Sequence, residues 1–175
     1  MFLTYQDLTI RNATAEDAPL LERWWNDGAL MAHAGYPNGT GEKAAHIAQK
    51  IAKDDDATHR RLILEAAGTP IGEMNYRNLN DGSAEIGIKI CEMDRQEKGY
   101  GRKFLSLLIA ALFRMGYEKV VLDTNLQNRR AQHVYESLGF VKTAVHENAF
   151  QDQLGQWQTS VDYELLPQDF ITFAP

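Results

Sequence analysis

The stretch from Ala84 to Phe140 constrains the fold most, because its hydrophobic period changes three times within a short span. Ala84-Glu85-Ile86-Gly87-Ile88-Lys89-Ile90 places apolar residues on alternate positions, the pattern of a strand with one buried face. From about Gly99, Phe104, Leu107, Leu108, Ala111, Leu112 and Met115 recur at helical spacing until Gly116-Tyr117 breaks the run. Val120-Val121-Leu122 is a short, wholly apolar strand. Ala131, Val134 and Leu138 then mark a second helix, which Gly139 closes in a left-handed cap. A strand, a crossover helix and a further strand in that order make the two strands parallel, with a right-handed connection.

The first junction carries the chemistry. Gln96-Glu97-Lys98-Gly99-Tyr100-Gly101 lies where the strand enters the helix. Glycines there let backbone N–H groups close on an anion, and the helix N-terminus adds partial positive charge. Lys98, Arg102 and Lys103 crowd the same corner, so a phosphate-bearing guest is expected. A dinucleotide-binding fold fits less well. It wants a third glycine where this chain has Phe104, and its glycine turn normally follows the first strand, although Asp123 does end the next strand as that fold requires.

The chain before this unit is antiparallel in character. Leu8 to Arg11 alternates as a first strand, and Thr14 with Asp17 makes a capping-box-like start for a helix carrying Leu20, Leu21, Trp24 and Trp25. Met31 to Gly41 is expected to be a loop. Its His33, Tyr36 and Pro37 make it a candidate pocket lining, although a plain surface connection is the more ordinary role. Thr40 is the expected cap of a second helix with Ala44, Ile47, Ala48, Ile51 and Ala52 on one face, and Asp54-Asp55-Asp56 reads as solvated loop. Arg61 to Ala66, Ile71 to Arg77 and Ala84 to Ile90 form three successive antiparallel strands joined by tight turns. Two more, Phe140 to Val145 and Trp157 to Leu166, flank a loop at Gln151 to Gly155. The expectation is one α/β domain over residues 1–175, with a cofactor-binding core at about 84–140 and a C-terminal tail at 167–175. Its central sheet is mixed and mostly antiparallel, with about seven strands flanked by about four helices.

Charge and cysteine usage exclude some functions. A formal charge of −6 argues against general nucleic-acid binding. The single cysteine, Cys91, allows no internal disulfide, and no Cys/His or carboxylate cluster has metal-ligand spacing. No basic region followed by an apolar core opens the chain, and the run from Leu105 to Phe113 is too short to span a bilayer. A cytoplasmic protein without membrane or metal is expected.

Two motifs together resemble the GNAT superfamily of acyl-CoA-dependent N-acetyltransferases. Its turn, Gln/Arg-x-x-Gly-x-Gly/Ala, is matched by Gln96, Gly99 and Gly101. Its second motif, an Asn opening the next helix followed by Tyr and Gly-Phe, is matched by Asn128, Tyr135 and Gly139-Phe140. Arrangement is similar over nearly the whole chain. Ile10-Arg11, Glu16-Asp17 and the Trp24-to-Asp27 segment look like the branch of ribosomal-protein and aminoglycoside 6′-N-acetyltransferases.

The resemblance implies acetyl-CoA as co-substrate and direct transfer to a primary amine in a ternary complex. The acceptor is left open among a protein N-terminus, a lysine, an aminoglycoside, a polyamine and an amino acid. Backbone amides of Glu97, Lys98, Gly99, Tyr100, Gly101, Arg102 and Lys103 would meet the pyrophosphate. The strand edge at Ile88, Lys89, Ile90 and Cys91 would pair with the pantetheine arm, which Asn128 would also contact. Tyr135 would protonate the departing thiolate, and Glu85, with Glu73 as the alternative, would take the amine proton. An acyl-Cys91 intermediate is disfavoured because no histidine is placed by sequence to activate it. Two other readings stand beside this one: a non-catalytic acyl-CoA binder, and a homodimer formed through edge strands.

Overall fold

The computed structural model describes residues 1–174, so Pro175, the end of the expected C-terminal tail, lies outside the described residues. Eight strands are present: β1 Phe2–Tyr5, β2 Leu8–Asn12, β3 His59–Ala66, β4 Thr69–Asn78, β5 Ser83–Ile90, β6 Lys119–Asn125, β7 Val141–Gln151 and β8 Trp157–Leu165. They form one sheet in the order β1-β2-β3-β4-β5-β6-β8-β7. Five α-helices accompany it: α1 Ala18–Trp25, α2 Gly28–Met31, α3 Ala44–Ile51, α4 Tyr100–Arg114 and α5 Arg129–Ser137.

The counts exceed the expectation by one strand and one helix. The added strand, β1, pairs Phe2 to Arg11 through Tyr5 to Leu8 across a tight turn. The added helix, α2, is a single turn just before the expected 31–41 loop, with which it shares only Met31. Asp27 caps it, its carboxylate accepting from the N–H groups of Ala29 (2.9 Å) and Leu30 (3.3 Å). Two local readings also change. Lys43, not Thr40, is the N-cap of α3, and the Thr40 hydroxyl only accepts from Glu42 N–H. The aspartate run is structural rather than simply solvated: Asp54 is buried against Arg61, and Asp56 takes Arg60 at 2.7 Å.

Because strand side chains alternate between faces, the sheet carries two cores. Leu62, Leu64, Met74, Tyr76, Ile86 and Leu122 pack with Phe104, Leu108 and Leu112 of α4 and with Leu138 just past α5. Ile63 packs with Leu21 and Trp24 of α1 and Ile47 and Ile51 of α3, and Cys91 joins this second cluster. Gly139 is left-handed at φ 97°, and an added Cβ there would lie 2.0 Å from the Asp169 carbonyl oxygen, so helix α5 must end on glycine.

One pairing positions the site. Among the described residues strands β5 and β6 are the single parallel pair, and they share only three rungs: Ser83 with Lys119, Ala84 with Val120, and Glu85 with Val121. Beyond Glu85 the two strands part, while β5 stays paired to β4 as far as Ile90 opposite Gly72. The result is a wedge-shaped gap in the middle of the sheet.

Candidate functional site

The gap opens into a cavity of about 620 Å³, lined along one side by Ile88, Lys89 and Ile90 and closed at its end by Gln96, Glu97, Gly99, Tyr100, Gly101 and Arg102. Across it lie Asn128, Ala131, Val134 and Tyr135 of the α5 segment. The sequence motifs therefore converge, although a whole helix and strand separate them along the chain.

The strand edge facing the gap is fixed by antiparallel bonding. Cys91 N–H donates to the Ile71 carbonyl at 2.8 Å, so residues 91, 89 and 87 bond toward β4. Ile86, Ile88 and Ile90 then turn their N–H and C=O groups toward the parted β6. The Ile90 carbonyl is taken by Gln96 Nε2 at 3.0 Å, which ties the glycine turn to the strand end. Gln96 Oε1 in turn accepts from Arg130 (3.1 Å), whose other nitrogen reaches Glu97 at the same distance.

The turn itself is shaped for an anion. Glu97 at φ 59° and Gly99 at φ 78° are left-handed, alternating with Lys98, the arrangement that gathers successive N–H groups into a concave nest. No side chain caps α4, a helix of 15 residues whose first N–H groups lack intrahelical acceptors. Gly101 is the informative glycine. Its φ is not left-handed, and an added Cβ would meet nothing within 4 Å. Nothing in the protein requires glycine there, whereas a ligand lying against the turn would.

Tyr135 is buried to 7% exposure, its ring 5.9 Å centroid to centroid from both Phe140 and Tyr163. Its hydroxyl has no hydrogen-bond partner among the described residues and is not sealed from solvent, and the residue lines the cavity. Burial, with the charge of Asp123, pushes it up to about 12, so it is neutral at ordinary pH. Asn128 caps α5 through its side-chain oxygen, which accepts Ala131 N–H at 3.2 Å, and it borders the cavity as well.

The carboxylates divide. Glu85 stands on the last β5–β6 rung, at the apex of the gap and facing away from α4, and pairs with Arg77 at 2.5 Å. Glu73 is held by Trp25 Nε1–H, which lies 2.8 Å from each of its oxygens. Burial raises the Glu73 carboxyl, against the opposing pull of Lys89 and Trp25. Asp123 on β6 lies opposite Asp162 of β8; partial loss of solvent, then Glu85 and Asp162, raise it too.

Four expected residues stand apart: Glu85, at the apex, does not line the cavity, and neither do Cys91, Lys98 and Lys103. Cys91 is buried in the α1–α3 core, its N–H spent on Ile71, so it turns away from the gap, and burial pushes its thiol up. Lys98 and Lys103 do not line the cavity, and Lys98 is exposed. Arg102 does line it, but its guanidinium also stacks over Phe173 at 4.8 Å. Trp157 is 59% exposed at the start of β8. Conversely, Ala29, Leu30, His33, Arg95, Arg130 and His133 line the cavity without having been singled out as ligands. Only the 31–41 segment gave a hint, through its position after a core helix; the others depend on which helix face meets the gap.

A family model described as an acetyltransferase (GNAT) domain matches residues 7–141. An uncharacterized protein of Methanocaldococcus jannaschii, MJ1062, is 38% identical over 137 residues, covering 78% of this chain but only 28% of that protein. The L-amino acid N-acyltransferase MnaT of Escherichia coli is 29% identical over 144 residues, 78% of this chain and 81% of its own length. Among solved structures, spermidine N-acetyltransferase from Vibrio cholerae in complex with CoA and spermine superposes with a TM-score of 0.81 at 24% identity, over 93% of this chain and 97% of that one. With the parted strands, the glycine turn and the family match over most of its length, the chain belongs to the GNAT acetyltransferase family.

Proposed function

We propose that the protein transfers an acetyl group from acetyl-CoA directly to an amine. The observation that carries this is the convergence, in one cavity, of the parted β5 edge, the nest at Glu97–Gly101 and the unpartnered Tyr135 hydroxyl. The nest and the first turn of α4 hold the pyrophosphate, and Arg102 supplies charge beside them. The free N–H and C=O groups of Ile88 and the N–H of Ile90, with Asn128, hold the amide-rich arm as an added strand would be held. Acetyl-CoA supplies the thioester.

At neutral pH an alkyl amine is mostly an ammonium, so it must lose a proton before it attacks. Glu85 takes that proton, directly or through water, because it stands at the apex where the strands part and the two faces of the sheet communicate. Glu73, set back behind Lys89, is the alternative. As the new C–N bond forms and the C–S bond breaks, Tyr135 donates to the sulfur. The phenolate left behind is a strong base and recovers a proton from the nitrogen, so Tyr135 ends as it began. Of the two protons the nitrogen sheds, one ends on CoA sulfur and the other passes to solvent.

Cofactor recognition is tested by thermal shift with acetyl-CoA, CoA and NAD, since a ligand selective for the native state raises the melting temperature. Acetyl-CoA and CoA should raise it and NAD should not; absence of any CoA effect would sink the assignment. Transfer is then read as thiol release over a panel of amines. A shift without thiol release from any amine would mark a binding protein instead, a reading against which the free Tyr135 hydroxyl argues.

A further inference from the structure

The rim of the anion nest carries a charge of the wrong sign. Glu97 enters the nest with a left-handed backbone at φ 59°, a conformation that glycine reaches freely and glutamate only at a cost. Backbone geometry therefore does not ask for glutamate there, and a carboxylate beside an anion site opposes the guest. What the side chain does instead is hold a cation. Glu97 Oε1 accepts from Arg130 Nη1 at 3.1 Å, and Arg130 reaches it from the first turn of α5, across a cavity that both residues line.

The two ends of this guanidinium differ. Nη2 donates to Gln96 Oε1 at 3.1 Å, and Gln96 is itself fixed through Nε2 to the Ile90 carbonyl at 3.0 Å. That contact is anchored to the strand. The Nη1 contact is not, because the Glu97 side chain is 75% exposed and that of Arg130 57%, so water screens the pair and it exchanges easily. The other arginines of the lining are placed differently: Arg102 stacks over Phe173, and Arg95 lies 3.5 Å from its own neighbour Asp94. A phosphate group, with several charged oxygens, is a stronger partner for a guanidinium fork than one exposed carboxylate.

We propose that Arg130 binds a phosphate of the cofactor, and that Glu97 is an internal anion which occupies Arg130 until that phosphate arrives. Nη2 stays on Gln96 while Nη1 passes from the Glu97 carboxylate to a phosphate oxygen; no covalent bond changes. This inference rests on the acetyl-CoA reading above and adds to it a ligand from α5 and a built-in competitor. Glu97 thereby lowers the affinity for CoA by holding the arginine that CoA needs.

The test is a double-mutant cycle read by titration calorimetry with CoA and with dephospho-CoA, which lacks the 3′-phosphate. Arg130→Met should weaken CoA binding about tenfold, and Arg130→Lys, which keeps a cation, should recover most of that, as a loss through altered packing would not. Glu97→Gln should tighten CoA about fivefold, the worth of an exposed ion pair no longer broken, and less than about twofold once residue 130 is methionine. An equal loss for both nucleotides in Arg130→Met puts the arginine on the pyrophosphate, and a loss confined to CoA puts it on the 3′-phosphate; either supports the proposal. It is overturned if Arg130→Met leaves both affinities within about twofold, or if Arg130→Lys binds no better than Arg130→Met. It is overturned equally if the Glu97→Gln gain is absent, or is as large without Arg130 as with it, since the glutamate then only repels the guest and the arginine only screens it. In those cases CoA binding by the unmodified protein leaves the transferase reading standing, whereas no binding of CoA by that protein removes both.

Discussion

At the scale of single residues, Tyr135 and Glu85 make separable predictions. Tyr135→Phe keeps the ring packed against Phe140 and Tyr163 and removes only the hydroxyl, which no described residue needs. Turnover should fall at least tenfold while the acetyl-CoA melting shift persists; unchanged turnover would remove Tyr135 from the mechanism. Its folded-state value near 12 also means that its ionisation does not shape the rate below about pH 11. Glu85→Gln should depress the rate most at low pH, where the amine arrives protonated, and least at high pH, where free amine is abundant. A mutant-to-wild-type ratio that stays flat across pH would make Glu85 a positioning residue. Tyr135 was singled out in the sequence by its place in the motif that ends at Gly139-Phe140, and Glu85 as a carboxylate on the strand that feeds the glycine turn. Lys89 was visible only as one residue of a strand edge, since its weak ion pair depends on a register with Glu73 that alternation cannot supply.

At the scale of elements, the turn entering α4 separates two demands on glycine. Gly99 is needed by its own backbone, being left-handed at φ 78°, but Gly101 is helical with open space where a Cβ would project. Gly101→Ala should leave the fold as stable or stabilise it by about 0.5–1 kcal/mol, because alanine is the better helix former. The same change should weaken CoA binding at least tenfold, read by titration calorimetry. Loss of stability with CoA affinity intact would mean that the turn is structural and holds no phosphate. Helix α4 was readable from its apolar spacing because it packs one face over the whole sheet. Helix α2 was not readable, since a single turn shows no period and is set by the Asp27 cap.

At the scale of the molecule, Arg11 joins the sheet to the helical layer. From β2 it binds Asp17 with both terminal nitrogens at 2.8 Å and Glu65 of β3 through Nε at 2.7 Å. Burial works against the Asp17 carboxylate, but Arg11 and the two Thr14 donors outweigh it and hold the group below its usual range. A carboxyl depressed in the folded state stabilises above its unfolded value near ~4 and loses that contribution as pH falls through the lower folded value. Asp17→Asn should therefore lower the melting temperature at pH 7, with the gap to wild type closing only below about pH 4. A gap that is constant down to pH 2 would mean that packing, not charge, is what Asp17 contributes.

What the sequence by itself determined was local: where each long element lies, the left-handed close at Gly139, the anion-ready turn, and the two motifs whose order and spacing resemble the family that the chain proved to belong to. These follow from side-chain period and backbone sterics within a few residues, which a linear chain displays directly. Only the tertiary structure decided that β5 and β6 part after Glu85, that Cys91 turns into the α1–α3 core, that Asp54 is buried against Arg61, and that Lys89 stands in the cavity wall. Each depends on register and on which surface closes over a strand. Those are set by contacts between residues distant in the chain, and they leave no periodic mark on it.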